Sequence, residues 1–282
     1  MAITNKQRVV GLVAALAVLL VALVALANVL AELLGVHPTW VMAPVIGVTG
    51  VGGAIAVTRQ FAHARRLTLK NQEAVALLNR GEVGAAGALF DECIAGAKQL
   101  REHRSLFQLN RAATHLQLSA PREALALTQP LVDARVWETG LSTMYPHLVA
   151  VHVFANAQLG RLDEAEAMLE EHLGALSESQ LGTVLSARAV VWGRRGQYDV
   201  MAAGLRDGWA SAEALQPVRA LRTLHALAAF AADRVGDDAA CARHWRAIED
   251  RDAAEFAYVG MGWPAFEEFV ASSSGDYRRP AP

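Results

Sequence analysis

Residues 81–90 read GEVGAAGALF and residues 160–169 read GRLDEAEAML, and the two stretches share one spacing. Each begins with a glycine, has an alanine five positions later, and has a large apolar residue four positions after that. Apolar residues four apart fall on one face of an α-helix, and glycine commonly ends the helix before it. Each stretch therefore predicts a helix end, a turn and a second helix with one buried face.

The same pattern recurs along the chain, so the turn positions are 38, 41, 36 and 40 residues apart. The turn residues are Gly81, Ser119, Gly160, Gly196 and Gly236. The positions five and nine residues later hold the pairs Ala86 and Phe90, Ala124 and Thr128, Ala165 and Leu169, Met201 and Leu205, and Cys241 and Trp245. A small residue also stands seven positions before each turn, at Ala74, Ala112, Val153, Ala189 and Ala229. This periodicity predicts stacked helix pairs whose backbones approach closely at the small residues.

Composition supports an all-α fold. Alanine and leucine dominate, aromatic residues make up 6%, and runs of Val, Ile and Thr are missing beyond residue 58. The formal net charge of −2 gives no reason to expect a nucleic-acid partner. Cys93 and Cys241 are far apart and belong to no CxxC motif, so we interpret both as small buried residues rather than metal ligands.

Over residues 67–250 this pattern resembles the tetratricopeptide repeat. The resemblance implies an α-solenoid of about five helix pairs over residues 59–271. The turn at residues 260–264 and a short helix after it predict a cap at residues 252–271, and the small, polar, Pro-ended residues 272–282 predict a disordered tail. The chain departs from the family in its spacing, which exceeds the usual period of about 34 residues. It also lacks the closing proline, and has Glu73, Arg111, His152 and Arg188 where the family usually has leucine.

The resemblance further implies a concave groove lined by the first helix of each pair, where a protein or peptide partner would bind. The groove positions carried over are Asn71, Asn79, Leu109, Gln117, His147, Phe154, Gln158, Ser186, Arg194, Phe230 and Arg234. The last of these positions in each pair is always polar, so amides there are expected to hold a peptide backbone and arginines a carboxylate. Phe154 and Phe230 would form apolar pockets. The alternative is that polar residues at helix ends are simply solvated.

The beginning of the chain predicts a membrane anchor. Residues 9–27 contain no charged or polar side chain and residues 39–57 contain no charge. Each segment is about as long as a helix that crosses a hydrocarbon core of roughly 30 Å. We therefore expect residues 1–58 to form a two-helix transmembrane hairpin with spans at about 9–31 and 39–57. A cleaved signal peptide is the alternative for the first segment, although its apolar region usually spans only about 7–15 residues.

Basic residues flank the hairpin and predict its orientation. Lys6 and Arg8 precede the first span, and Arg59, Arg65, Arg66 and Lys70 follow the second, whereas the connector has no Lys or Arg. Basic flanks stay on the cytoplasmic side. We expect a two-pass protein of the cell membrane (the inner membrane of a Gram-negative cell) with both termini cytoplasmic. Glycines at 47, 50, 52 and 53 would pack within the hairpin or mediate self-association.

No catalytic motif stands out, since the nine histidines are scattered and no nucleophile is paired with a base. We therefore predict no enzyme activity, no cofactor and no metal site. The expected function is that of a membrane-anchored scaffold or adaptor that mediates protein–protein interaction. The alternatives are a regulatory sensor that binds a small peptide or metabolite in the groove, and an accessory subunit of a membrane complex.

Overall fold

The computed structural model describes the backbone of residues 21–22, 24–26, 28–29, 31–35, 38–139, 141–248 and 253–276. The side chains of residues 38–50, 139, 179, 253 and 274–276 lie outside this description. The described chain is helical and contains no β-strand, which confirms the all-α prediction.

Most helices follow one another with connections of two to four residues, and the longer connections are at residues 134–144 and 247–256. The helices are α1 (Pro38–Arg80), α2 (Val83–Gly96), α3 (Arg101–Gln117), α4 (Pro121–Asp133), α5 (Tyr145–Gln158), α6 (Leu162–Leu173), α7 (Glu178–Arg194), α8 (Tyr198–Leu215), α9 (Val218–Arg234), α10 (Asp238–Arg246), α11 (Ala257–Gly260) and α12 (Pro264–Asp276). Short 3-10 turns cover Val136–Thr139, Ser142–Met144 and Ala253–Phe256.

The chain divides into two compact units, Met1–Leu67 and Thr68–Pro282, and the division falls inside α1. This helix does not end at residue 57, where the second predicted span ends, because no glycine or proline occurs between residues 58 and 80. In the first unit, α1 carries exposed apolar side chains at Val51, Ile55, Val57 and Phe61.

The predicted transmembrane hairpin finds no support in the described residues. None of the helices described there is both long and apolar enough to cross a membrane. Most of the first predicted span, residues 9–31, lies outside the described residues, and the second, residues 39–57, belongs to α1.

In the second unit, all five predicted turn positions have a left-handed backbone. Their φ angles are +87° at Gly81, +55° at Ser119, +75° at Gly160, +72° at Gly196 and +75° at Gly236. Each turn closes with the same two backbone hydrogen bonds; at Gly160 its own N–H donates to the Ala157 carbonyl, and the next N–H donates to Asn156. This arrangement satisfies carbonyls at the helix end and fixes the direction of the next helix.

The residues that the repeat pattern singles out are buried where the helices of each pair meet. They are at most 9% exposed, namely Ala74, Ala86, Phe90, Ala112, Ala124, Thr128, Val153, Ala165, Leu169, Ala189, Met201, Leu205, Ala229, Cys241 and Trp245. Alanine at these crossings lets the backbones approach, and each large apolar side chain contributes about 1.5–3 kcal/mol on burial. From Ala112 to Val270 the helices share one large core, whereas Ala74, Ala86 and Phe90 of the first pair form a separate buried cluster.

Two departures from the family pattern compensate for each other. Thr128 replaces a bulky residue and His152 replaces a leucine, and the Thr128 Oγ1 atom lies 3.0 Å from His152 Nδ1. Both side chains are buried. Burial lowers the pKa of His152 to about 4, so the imidazole is neutral near neutral pH.

The end of the chain continues the fold beyond the helix pairs. A turn precedes Pro264, with Gly262 at φ +67°, and α12 then extends to Asp276, past the predicted start of a disordered tail at Ser272. Trp245 explains the extension, because its indole N–H donates to the Ser273 carbonyl at 3.2 Å. Residues 277–282 lie outside the described residues.

Candidate peptide-binding groove

The predicted groove of the last three helix pairs is filled by the chain itself. Residues 253–276, which we call the C-terminal segment, lie against the first helices α5, α7 and α9 of these pairs. The large apolar side chains of the segment are buried there, namely Phe256, Val259, Trp263, Phe266, Phe269 and Val270. This part of the groove is therefore occupied by the chain's own C-terminal segment.

Side chains from three successive first helices donate hydrogen bonds to the backbone of this segment. The Gln158 amide donates to the Tyr258 carbonyl at 2.5 Å. The Arg194 guanidinium donates to the carbonyls of Met261 at 2.5 Å and Gly262 at 3.2 Å. Arg234 donates to the Ala265 carbonyl at 3.3 Å. All three donors stand at the last groove position of their helices, and all three bind peptide carbonyls.

Arg194 and Arg234 differ from the prediction, since both bind the segment through carbonyl groups rather than a carboxylate. For Arg194 the reason is local: α11 is a single turn that ends at Gly260, so the carbonyls after it have no helical partner and need donors. The Arg194 guanidinium also lies 5.6 Å from the centroid of the Trp263 ring, within range of a cation–π interaction. Burial lowers the pKa of Arg194 to about 10, and the side chain remains charged at neutral pH.

The two predicted apolar pockets are present but filled. Phe154 stacks on Tyr258 with ring centroids 5.9 Å apart, and the Tyr258 hydroxyl lies 2.8 Å from Thr223 Oγ1. Phe230 is fully buried rather than open to a partner. Its ring meets Trp263, Phe266 and Phe269 at centroid distances of 5.1, 5.4 and 5.5 Å.

Sequence reasoning missed two contacts that hold the segment. Gly193 on α7 faces the Trp263 ring so closely that a Cβ atom at this position would collide with it. Arg222 binds Glu255 through two nitrogens at 2.6–3.1 Å, and both side chains are largely shielded from water. Local sequence patterns predict neither contact, because the partners are far apart along the chain. Arg222 and Glu255 are 33 positions apart and lie outside the groove pattern.

The remaining predicted groove residues do not touch the C-terminal segment through any described polar or ring contact. Asn71 is buried and accepts a hydrogen bond from the Asn110 amide at 2.9 Å, which joins α1 to α3. Leu109 is buried with Leu131 and Leu148. Among the others, Asn79 and His147 are exposed and Ser186 is half-buried.

Gln117 differs from these, because its Oε1 atom is buried without a described hydrogen-bond partner. It stands at the groove position that Gln158 and Arg194 use, one and two helix pairs further along. The Gln158 Oε1 atom is also buried without a described partner, although Gln158 binds the segment through its Nε2 atom.

No set of three or more His, Cys, Asp or Glu side chains in the described part of the chain is placed to hold a metal ion. Comparison of the chain with protein-family models, with curated proteins and with solved structures gives no match.

Proposed function

We propose that this chain is a membrane-anchored, tetratricopeptide-like scaffold whose groove binds a segment of a partner protein. The observation that carries the proposal is the set of donors Gln158, Arg194 and Arg234 on the backbone carbonyls of one segment. Carbonyl groups are common to every peptide, so the same donors can serve another segment. The aromatic contacts at Phe154 and Phe230 would select which segment binds.

The partner segment would resemble the one that fills the groove. It needs an aromatic residue to stack on Phe154, and a second one five positions later to lie against Phe230 and Arg194, as Tyr258 and Trp263 do. The tethered segment is present at an effective concentration on the order of millimolar, so a partner must bind with help from other contacts. We expect Gln117, at the position equivalent to Gln158 in the preceding helix pair, to provide such a contact.

A labelled peptide of residues 253–276 tests this proposal by fluorescence anisotropy on the full-length chain. Trp263→Ala weakens the tethered segment, because it removes an aromatic side chain that is 95% buried from the contacts with Phe230 and Arg194. The peptide should therefore bind to the Trp263→Ala chain at least ten times more tightly than to the wild-type chain. Adding Arg194→Ala should reverse this gain, whereas Arg195→Ala, whose guanidinium pairs with Glu166 outside the groove, should not.

Failure of the Trp263→Ala chain to bind the peptide, with helicity retained in its circular dichroism, would contradict the proposal. The segment would then be a fixed part of the core. Glu255→Gln provides a second route to a loosened segment, because it removes the charge that Arg222 binds at the start of the segment.

The membrane anchor is part of the same proposal. Its support is the pair of charge-free apolar segments before residue 58 and the exposed Val51, Ile55, Val57 and Phe61 on α1, since apolar side chains in water are unfavourable. We expect the full-length chain in the membrane fraction, with its C-terminal part digested only by protease on the cytoplasmic side. Recovery of the unprocessed chain in an aqueous fraction without detergent would contradict the anchor.

A further inference from the structure

A second site lies away from the groove, between the second helices of the last two pairs. There, α8 and α10 leave a cavity of about 320 Å³ above α9. Its floor is formed by small side chains, Ala228 and Ala232, and its wall by Ala202 and Leu205. A volume near 300 Å³ is at the lower end of the range of small-molecule sites, so the cavity is large enough for a bicyclic compound.

An aromatic wall closes one side of this cavity. The Trp209 indole lines it and is held by two imidazoles, with ring centroids 4.6 Å from His225 and 4.7 Å from His244. The two Nδ1 atoms of the histidines lie 3.1 Å apart, so one ring donates to the other. Because the three rings come from α8, α9 and α10, the indole is fixed in place before any ligand arrives. A rigid flat wall of this kind favours a flat aromatic ligand.

The rim of the cavity carries positive charge. Arg206 and Arg243 both line it and are exposed, and neither forms an ion pair with a carboxylate among the described residues. The Asp237 carboxylate is also at the rim, but it accepts a hydrogen bond from the Ala240 N–H as the cap of α10. Among the charged residues that line the cavity, the balance is therefore one net positive charge. A guanidinium can bind a carboxylate through two hydrogen bonds.

We propose that this cavity binds a small organic anion with a flat aromatic body, stacked on Trp209 and with its anionic group held by Arg206 and Arg243. The apolar floor and the indole accommodate the body, and the two guanidinium groups select the charge. Such a ligand would stabilise the last two helix pairs, since it bridges α8 and α10. This inference does not depend on peptide binding in the groove.

The test uses isothermal titration calorimetry of the full-length protein with three probes that share a naphthalene ring and differ in charge. They are anionic 1-naphthoate, neutral 1-naphthylmethanol and cationic 1-naphthylmethylamine. We expect 1-naphthoate to bind with a submillimolar Kd, and the other two at least ten times more weakly. Arg206→Gln with Arg243→Gln should weaken 1-naphthoate at least tenfold. Arg246→Gln, an exposed arginine of α10 that does not line the cavity, should leave its Kd unchanged.

Ala232→Leu fills the cavity without changing its charge and should abolish binding of all three probes. Ala202→Leu, on the half-buried wall, serves where Ala232→Leu disturbs the fold. Equal affinity for the anion and the cation, binding that persists in the filled variants, or no heat of binding for 1-naphthoate would each overturn the proposal.

Discussion

Ser119 stands at the turn position that glycine occupies in the other four helix pairs. Its φ of +55° is the left-handed conformation, which costs a residue with a Cβ atom about 1–2 kcal/mol. The turn nevertheless forms, because the Ala120 N–H donates to the His115 carbonyl at 2.8 Å, as in the glycine turns. The repeat pattern predicted this position from the spacing alone, which shows that the periodicity rather than the glycine itself identified the turns.

Reciprocal substitutions measure this backbone cost. Ser119→Gly should raise the free energy of unfolding by about 1 kcal/mol, because glycine adopts positive φ without strain. Gly160→Ser should lower it by a similar amount, since a Cβ atom at Gly160 meets no neighbouring atom within 4 Å and only the backbone strain remains. Urea unfolding of the full-length chain, followed by circular dichroism, measures both. Changes of the same sign in the two variants would disagree with this account.

At the level of elements, the helices of the second unit and their turns were predictable from sequence, because hydrophobic periodicity reports neighbours one or two turns away. The place of the C-terminal segment was not. Gln158 and Tyr258 are 100 positions apart, and Arg194 and Gly262 are 68 apart. The repeat pattern placed Gln158, Arg194 and Arg234 at groove positions and led us to expect a carboxylate at the arginines. No local pattern predicts that residues 253–276 return to contact them.

Gly193 provides a specific test of how this segment is attached. Gly193→Ala places a methyl group against the Trp263 ring and 3.0 Å from Met201 Sδ, so the ring or α7 must move and the thioether must adjust slightly. We expect hydrogen exchange at residues 257–270 to quicken at least tenfold, with little change in α3 or α4. Gly174→Ala is the matched control, because its φ is −65° and a Cβ atom there meets no neighbour within 4 Å. Equal exchange in the two variants would show that the segment is not held at Gly193.

At the scale of the whole molecule, buried neutral histidines make folding sensitive to acid. Burial lowers the pKa of His152 from 6.5 to about 4, and it also lowers the pKa of His172 and His244. Between pH 6.5 and 4 the unfolded chain therefore binds more protons than the folded one. The contribution of these histidines to the free energy of unfolding is fully present above this window and is lost as pH falls through it.

His152→Leu separates the contribution of this histidine from the others. Between pH 7 and pH 4.5 the free energy of unfolding of the wild-type chain should fall by about 1–3 kcal/mol more than that of the variant, because leucine takes up no proton. Thr128 stays satisfied in the variant, since its hydroxyl also reaches the Ala124 carbonyl at 3.1 Å. Urea unfolding at a series of pH values gives the comparison, and parallel pH curves for the two chains would rule out His152 as a source of acid sensitivity.

Photo-crosslinking from position 258 tests most directly whether the C-terminal segment occupies the groove as a peptide does. With p-benzoylphenylalanine in place of Tyr258 in the full-length chain, we predict an intramolecular crosslink to α5 near Phe154 or to α9 near Thr223. Arg194→Ala should reduce its yield, and added peptide of residues 253–276 should reduce it further. A crosslink that forms elsewhere in the chain, or one whose yield neither change affects, would contradict a releasable segment in a peptide-binding groove.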